Sequence, residues 1–157
     1  MRLSRRLAVA AGAVALLAAL SGCSTTIHLE AAKDANNPAC ADVSVLLPSA
    51  LGELDRVWTD AQATGAWGDD PTVVLRCGVA VPAPSALVCQ TFSGVDWLVL
   101  DQEEDRQRLV TFGRDPAIEL SIRRGTEVDF RTIVDKLSTS IQAGLQPATA
   151  KCTAREG

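Results

Sequence analysis

The chain has 157 residues, 47% of them hydrophobic, 22% charged and only 4% aromatic, with five cysteines and a single histidine; that is enough for one domain with a real core and too little for two. Its formal charge is −4, but the first 22 residues hold three of the fifteen basic side chains and none of the nineteen acidic ones, so the remainder carries twelve against nineteen, or −7. A surface of that sign repels phosphate, which excludes nucleic acid as an expected partner, and no polybasic patch is left to attract anionic lipid.

Arg2, Arg5 and Arg6 precede an apolar run from Leu7 to Leu20 that is shorter than the ~20 residues a membrane-spanning helix needs, so residues 1–22 read as an export signal. The run closes on Leu20-Ser21-Gly22-Cys23, the order of a bacterial lipoprotein signal. In that chemistry the Cys23 thiol is alkylated by a diacylglyceryl group and becomes the new N-terminus. Two acyl chains hold a protein on a bilayer stably where one does so only marginally. The expected location is the cell membrane, lipid-anchored on its extracytoplasmic face, with the bilayer itself as a partner through acylated Cys23. Residues 23–39, polar and Ala-rich and ending in Asn36-Asn37-Pro38, read as a flexible tether, and residues 40–157 as a single domain.

Within that domain Leu47, Leu51, Leu54, Trp58 and Ala61 recur at helical spacing, which predicts a helix from about Ser49 to Thr64 with Trp58 in the core. Gly65 to Pro71 reads as a loop, and Thr72 to Cys77 as a strand rich in β-branched residues. Leu87–Phe92 and Val95–Leu100 form an expected hairpin around Ser93-Gly94. Arg108–Phe112 and Ala117–Arg123 are the next strand pair, the second with clean alternation of Ile118, Leu120 and Ile122. Phe130, Val134, Leu137, Ile141 and Leu145 then mark an amphipathic helix stopped near Gly144 and Pro147. The expected fold is α+β, a two-layer domain with an antiparallel sheet of about four to five strands and two amphipathic helices on one face.

With Cys23 acylated, Cys40, Cys77, Cys89 and Cys152 remain, an even number that reads as two disulfides in an exported domain. Three pairings are open. The favoured one joins Cys77 to Cys89, at the ends of a Pro-containing connection between strands, and Cys40 to Cys152, tying the domain's beginning to its end. No C-x-x-C pair occurs and the one histidine, His28, lies in the tether, so neither a metal site nor a cofactor is expected and histidine-based catalysis has no preorganised group to use. Carboxylates are the remaining chemistry: Asp69 and Asp70 after Trp67, and Asp96 beside Trp97, are candidates for an acid and base pair across a glycan. Arg76, Arg114 and Asp115 read as an ion-pair cluster at one end of the sheet, or, lining an open groove together with Trp67 and Asp69, as a ligand or partner surface.

Trp67-Gly68-Asp69, Leu75-Arg76-Cys77-Gly78-Val79, Gly94-Val95-Asp96-Trp97 and Thr111-Phe112-Gly113-Arg114-Asp115-Pro116-Ala117, in this order, carry a resemblance to the domain of unknown function 3515, a group of small actinobacterial proteins with an N-terminal signal or membrane anchor. The resemblance spans about Cys40 to Leu145 and implies an envelope-tethered domain, with no activity, cofactor or catalytic residue to transfer. The expectation is therefore a lipoprotein with a non-catalytic domain that binds an envelope protein or cell-wall partner, the alternatives being a carboxylate-based hydrolase acting on envelope glycan and a carrier of a small ligand.

Overall fold

The computed structural model describes residues 26–83, 86–100 and 104–153. The lipoprotein signal Leu20-Ser21-Gly22-Cys23 lies outside the described residues. After α1 (Pro38–Leu46) come eight strands, β1 (Ala50–Leu51), β2 (Leu54–Val57), β3 (Thr64–Trp67), β4 (Val73–Val79), β5 (Cys89–Phe92), β6 (Val95–Val99), β7 (Arg106–Thr111) and β8 (Ala117–Arg123), and then α2 (Phe130–Gly144). They form one antiparallel sheet in the order β1-β2-β3-β4-β8-β7-β6-β5. It is two four-stranded meanders, β1–β4 and β5–β8, joined along their last strands. The class expected from sequence holds, but the sheet has eight strands in place of four to five.

Two of the missing strands, β1 and β2, come from the stretch read as a helix over Ser49–Thr64, and β3 comes from the start of the stretch read as a loop over Gly65–Pro71. Gly52 sits at φ +62° and the chain reverses there, pairing Leu51 with Leu54 and Ala50 with Asp55 across a two-residue turn. A glycine in the left-handed region costs a helix interior about 1 kcal/mol but suits a tight hairpin. The leucine spacing was therefore satisfied by alternation across a turn. Trp58, placed in the core by the helical reading, is 74% exposed just beyond β2. The first helix lies earlier, where Asn37 accepts a hydrogen bond from the Ala39 N–H and Pro38 occupies the first turn, both ordinary signals for a helix start.

The main core lies between one sheet face and the two helices. Leu75 and Cys77 of β4, Ile118, Leu120 and Ile122 of β8, Leu109, Trp97 and Trp67 meet Ile133, Val134, Leu137 and Ile141 of α2 and Val43 of α1. Asp129 caps α2 by accepting from the Thr132 N–H. The helices approach closely at Gly144, where an added Cβ would stand 2.9 Å from the Val43 backbone. Both buried indoles have satisfied N–H groups, Trp67 donating to the Pro48 carbonyl at 3.0 Å and Trp97 to Ser138 Oγ at 2.9 Å. On the opposite sheet face a smaller apolar cluster of Leu98, Val110 and Ala117 is packed by Val79, Cys89, Leu100 and Phe112.

Both ends of the described chain are clamped over glycines. Asp34 N–H donates to the Gly78 carbonyl, and a Cβ on Gly78, at φ +91°, would stand 2.3 Å from the Asp34 carbonyl carbon. Thr149 N–H donates to the Gly113 carbonyl, and a Cβ on Gly113, at φ +70°, would stand 2.1 Å from the Ala150 oxygen. The expected tether is thus largely part of the domain. Ile27 N–H donates to the Trp58 carbonyl at 2.8 Å, Leu29 N–H donates to Asp60 Oδ1 at 3.0 Å, and Ala35 is buried.

The four cysteines form two disulfides, Cys40–Cys77 and Cys89–Cys152, each with Cα atoms 5.6 Å apart. This corrects the expected pairing. β4 and β5 are separated in the sheet by β8, β7 and β6, so Cys77 and Cys89 stand four strand spacings apart, about 19 Å, against a limit near 7 Å for a disulfide. Adjacency in sequence suggested a hairpin that the sheet order does not make.

Candidate interaction surface

The five residues proposed from sequence as a partner surface separate in the structure. Trp67 is fully buried, its ring covered by the Arg56 guanidinium at 6.0 Å, and is core. Arg114 is 5% exposed; one of its amino groups donates to the Gln146 carbonyl at 2.8 Å, while its Nε is buried without a partner. Burial pushes its pKa down and the nearby Asp96 carboxylate raises it in part. Arg114 thus holds the chain that follows α2 against the sheet, and Asp96 holds it further along, accepting from the Cys152 N–H at 2.8 Å. Asp69 and Asp115 are exposed, and Asp115 precedes a cis peptide bond to Pro116. Of the five, only Arg76 lies on an open strand surface.

Alternation along the strands places Arg76 of β4, Glu119 and Arg123 of β8, and Arg106 and Arg108 of β7 on the sheet face that turns away from the helices. Arg76 stands directly opposite Glu119 and pairs with it at 3.2 Å. Arg108, opposite Ser121, reaches the other Glu119 oxygen along the diagonal. One carboxylate serves two guanidinium groups, each about one third exposed, and the Arg76 Nε has no hydrogen-bond partner. Arg106 and Arg123 are direct cross-strand neighbours, a like-charge pairing that would be unfavourable if both pointed at one another. They diverge instead. Arg106 donates to Ser121 Oγ at 2.7 Å and to the Pro71 carbonyl, and Arg123 pairs with Asp70 at 2.8 Å. Four arginines against Glu119 and Asp70 make this region locally cationic on an acidic molecule. Sequence reasoning identified Arg76 but missed Arg106 and Arg108, whose signal was the two-residue spacing that puts both on one strand face.

The carboxylates considered for glycan chemistry do not assemble into a pair. Asp70 is bound to Arg123 at the end of β8, whereas Asp96 lies beyond the β6–β7 pairing near the start of β8. The length of that strand separates them by on the order of 15 Å or more, outside the ~5–10 Å over which two carboxyl groups flank a glycosidic bond. Asp96 is also occupied, accepting from Thr91 as well as from Cys152.

A cavity of about 350 Å³ opens between the inner edge of β7 and β8 and the start of α2, lined by residues including Gln107, Arg124, Thr126 and Asp129. The Asp129 carboxylate already caps the helix there. Among the described residues no group of His, Cys, Asp and Glu side chains is placed to hold a metal ion, and no helix is long and apolar enough to cross a membrane.

No curated protein and no solved structure matches the chain. The family model described as "Protein of unknown function (DUF3515)" matches residues 6–150, which includes every strand and both helices of the described residues. Over nearly its whole length, then, the chain belongs to the DUF3515 family.

Proposed function

We propose that the protein is an exported lipoprotein, anchored to the extracytoplasmic face of the cell membrane by acylated Cys23, whose domain is a non-catalytic interaction module for an anionic envelope partner. The observation that carries the partner is the arginine face: Arg76, Arg106, Arg108 and Arg123 stand together on a sheet surface of a chain that is otherwise acidic. Guanidinium groups offer planar forks that match carboxylates and phosphates, and an open sheet face suits an extended polymer or a flat protein surface better than a small molecule. The export reading is supported by the lipoprotein signal at Leu20 to Cys23 and by two disulfides, which persist outside the cytoplasm.

Crosslinking and pull-down from intact cells with the lipidated protein test the partner. The arginine face predicts that Arg76→Glu with Arg108→Glu abolishes recovery of the partner, while Asp115→Ala leaves it unchanged. Recovery indifferent to both arginines would refute the surface. Intact mass of the mature protein tests the anchor, since an unmodified Cys23 or a cut elsewhere would remove it.

A further inference from the structure

We propose that Trp58 is seated in the headgroup region of the bilayer that holds Cys23, so that the domain lies directly on the membrane, oriented by one aromatic side chain. The inference rests on the lipoprotein reading of Cys23 and adds the orientation of the domain.

Its first support is length. Ile27 is fixed to the domain by the hydrogen bond from its N–H to the Trp58 carbonyl and by a second from Asp60 N–H to its own carbonyl. From Cys23 to Ile27 are four residue steps, which span at most about 14 Å even when fully extended. An acylated Cys23 has its chains in the hydrocarbon core, so Ile27, and with it Trp58, stays within reach of the interfacial region, which is about 5–8 Å deep on each side of the bilayer. A spacer of 17 residues would let the domain stand well clear of the membrane; one of four residue steps keeps Trp58 close to it.

The second support is the side chain. The chain has three tryptophans, and Trp67 and Trp97 are fully buried with their indole N–H groups bonded inside the protein. Trp58 alone is on the surface, 74% exposed, beside the residue from which the anchor departs. An indole with an apolar body and a polar N–H is the side chain that prefers the boundary between headgroups and acyl chains. The neighbouring Glu30 and Asp60 are acidic, so no charge attraction to anionic lipid assists, and the occupant is the interface itself.

The test uses full-length lipidated protein whose Cys23 acylation has been verified by intact mass, reconstituted in phosphatidylcholine vesicles with bromine placed either near the headgroup end of the acyl chains or at mid-chain. Because one indole in three is exposed, the expected result is quenching of about one third of the tryptophan emission by the shallow bromines, less by the deep ones, and none in Trp58→Phe. Iodide should quench the exposed Trp58 in protein lacking the acyl group and lose access to it on the vesicles. Acylated protein that is not quenched, or quenching that persists in Trp58→Phe, overturns the proposal while leaving the anchor intact. An unacylated Cys23 overturns the anchor, and the proposal with it.

Discussion

The two disulfides differ in depth, and the difference separates what holds the domain together from what holds its end down. Cys40–Cys77 joins α1 to the central strand β4, and both residues are fully buried. Cys89–Cys152 joins the edge strand β5 to the segment after α2, and both residues are only partly buried. Chain entropy alone would rate them almost equally, since loops of 37 and 63 residues each give about 4 kcal/mol. Location distinguishes them. The first cannot part without opening the core between helices and sheet, whereas the second secures a strap that could peel away with the sheet intact.

The largest expected effect is therefore on the buried bridge. Replacing Cys40 and Cys77 by Ala should cost about 3–5 kcal/mol in denaturant unfolding, loop entropy and lost packing acting together. Replacing Cys89 and Cys152 should cost clearly less than its ~4 kcal/mol entropic ceiling, because residues 146–153 can detach without global unfolding. Equal losses in the two variants would break the comparison. Thiol labelling sharpens it: under mild reductant the native protein should expose Cys89 and Cys152 to alkylation first, with Cys40 and Cys77 labelled only on unfolding.

The glycine clamps extend the comparison to the two chain ends. Gly113→Ala and Gly78→Ala each put a Cβ into backbone and force a left-handed conformation, at about 1–3 kcal/mol. In Gly113→Ala amide exchange should quicken at Thr149 and Cys152, and in Gly78→Ala at Asp34 and Leu29, with little change at the other end. The smallest effect belongs to pH. The Asp60 carboxyl is held below its usual range, first by the hydrogen bond from the Leu29 N–H and then by that from His28. A depressed pKa stabilises the folded form above the ordinary carboxylate value near ~4, and that contribution is lost as pH falls through the lower, folded value. Acid should thus loosen the segment around Ile27 to Leu29 before the core responds, and exchange at Leu29 measured against that at Ile133 would show whether it does.

The arginine face and the Trp58 site were legible from sequence to different degrees. Arg76 was singled out with Arg114 and Asp115 as a charged cluster at one end of the sheet, but nothing local says that Arg106 and Arg108 come from two strands further on in the sheet to share its face. Trp58 was misread because its spacing to Leu54 and Leu51 fits a helix as well as it fits two sides of a hairpin. Gly52 carried the contrary signal, and one glycine against five well-spaced apolar residues did not outweigh it. Trp67 and Arg114 looked like surface groups because they lie in Gly- and Asp-rich stretches, whereas their rings and guanidinium are enclosed by residues far away in the chain, Pro48 and Gln146 among them.

By itself the sequence determined the features that depend on local chemistry. The alternation of Ile118, Leu120 and Ile122 specified a half-buried strand, the apolar stripe of Phe130 to Leu145 specified α2, Ser93-Gly94 specified a hairpin, and the even set of cysteines called for two bridges. Only the tertiary structure decided which cysteines meet and which arginines share a face, because both depend on strand order, and strand order is set by packing two meanders edge to edge. It decided too where the folded domain begins, since the bonds that gather residues 27–35 onto the sheet are made to partners at Trp58, Asp60 and Gly78 that no local pattern announces.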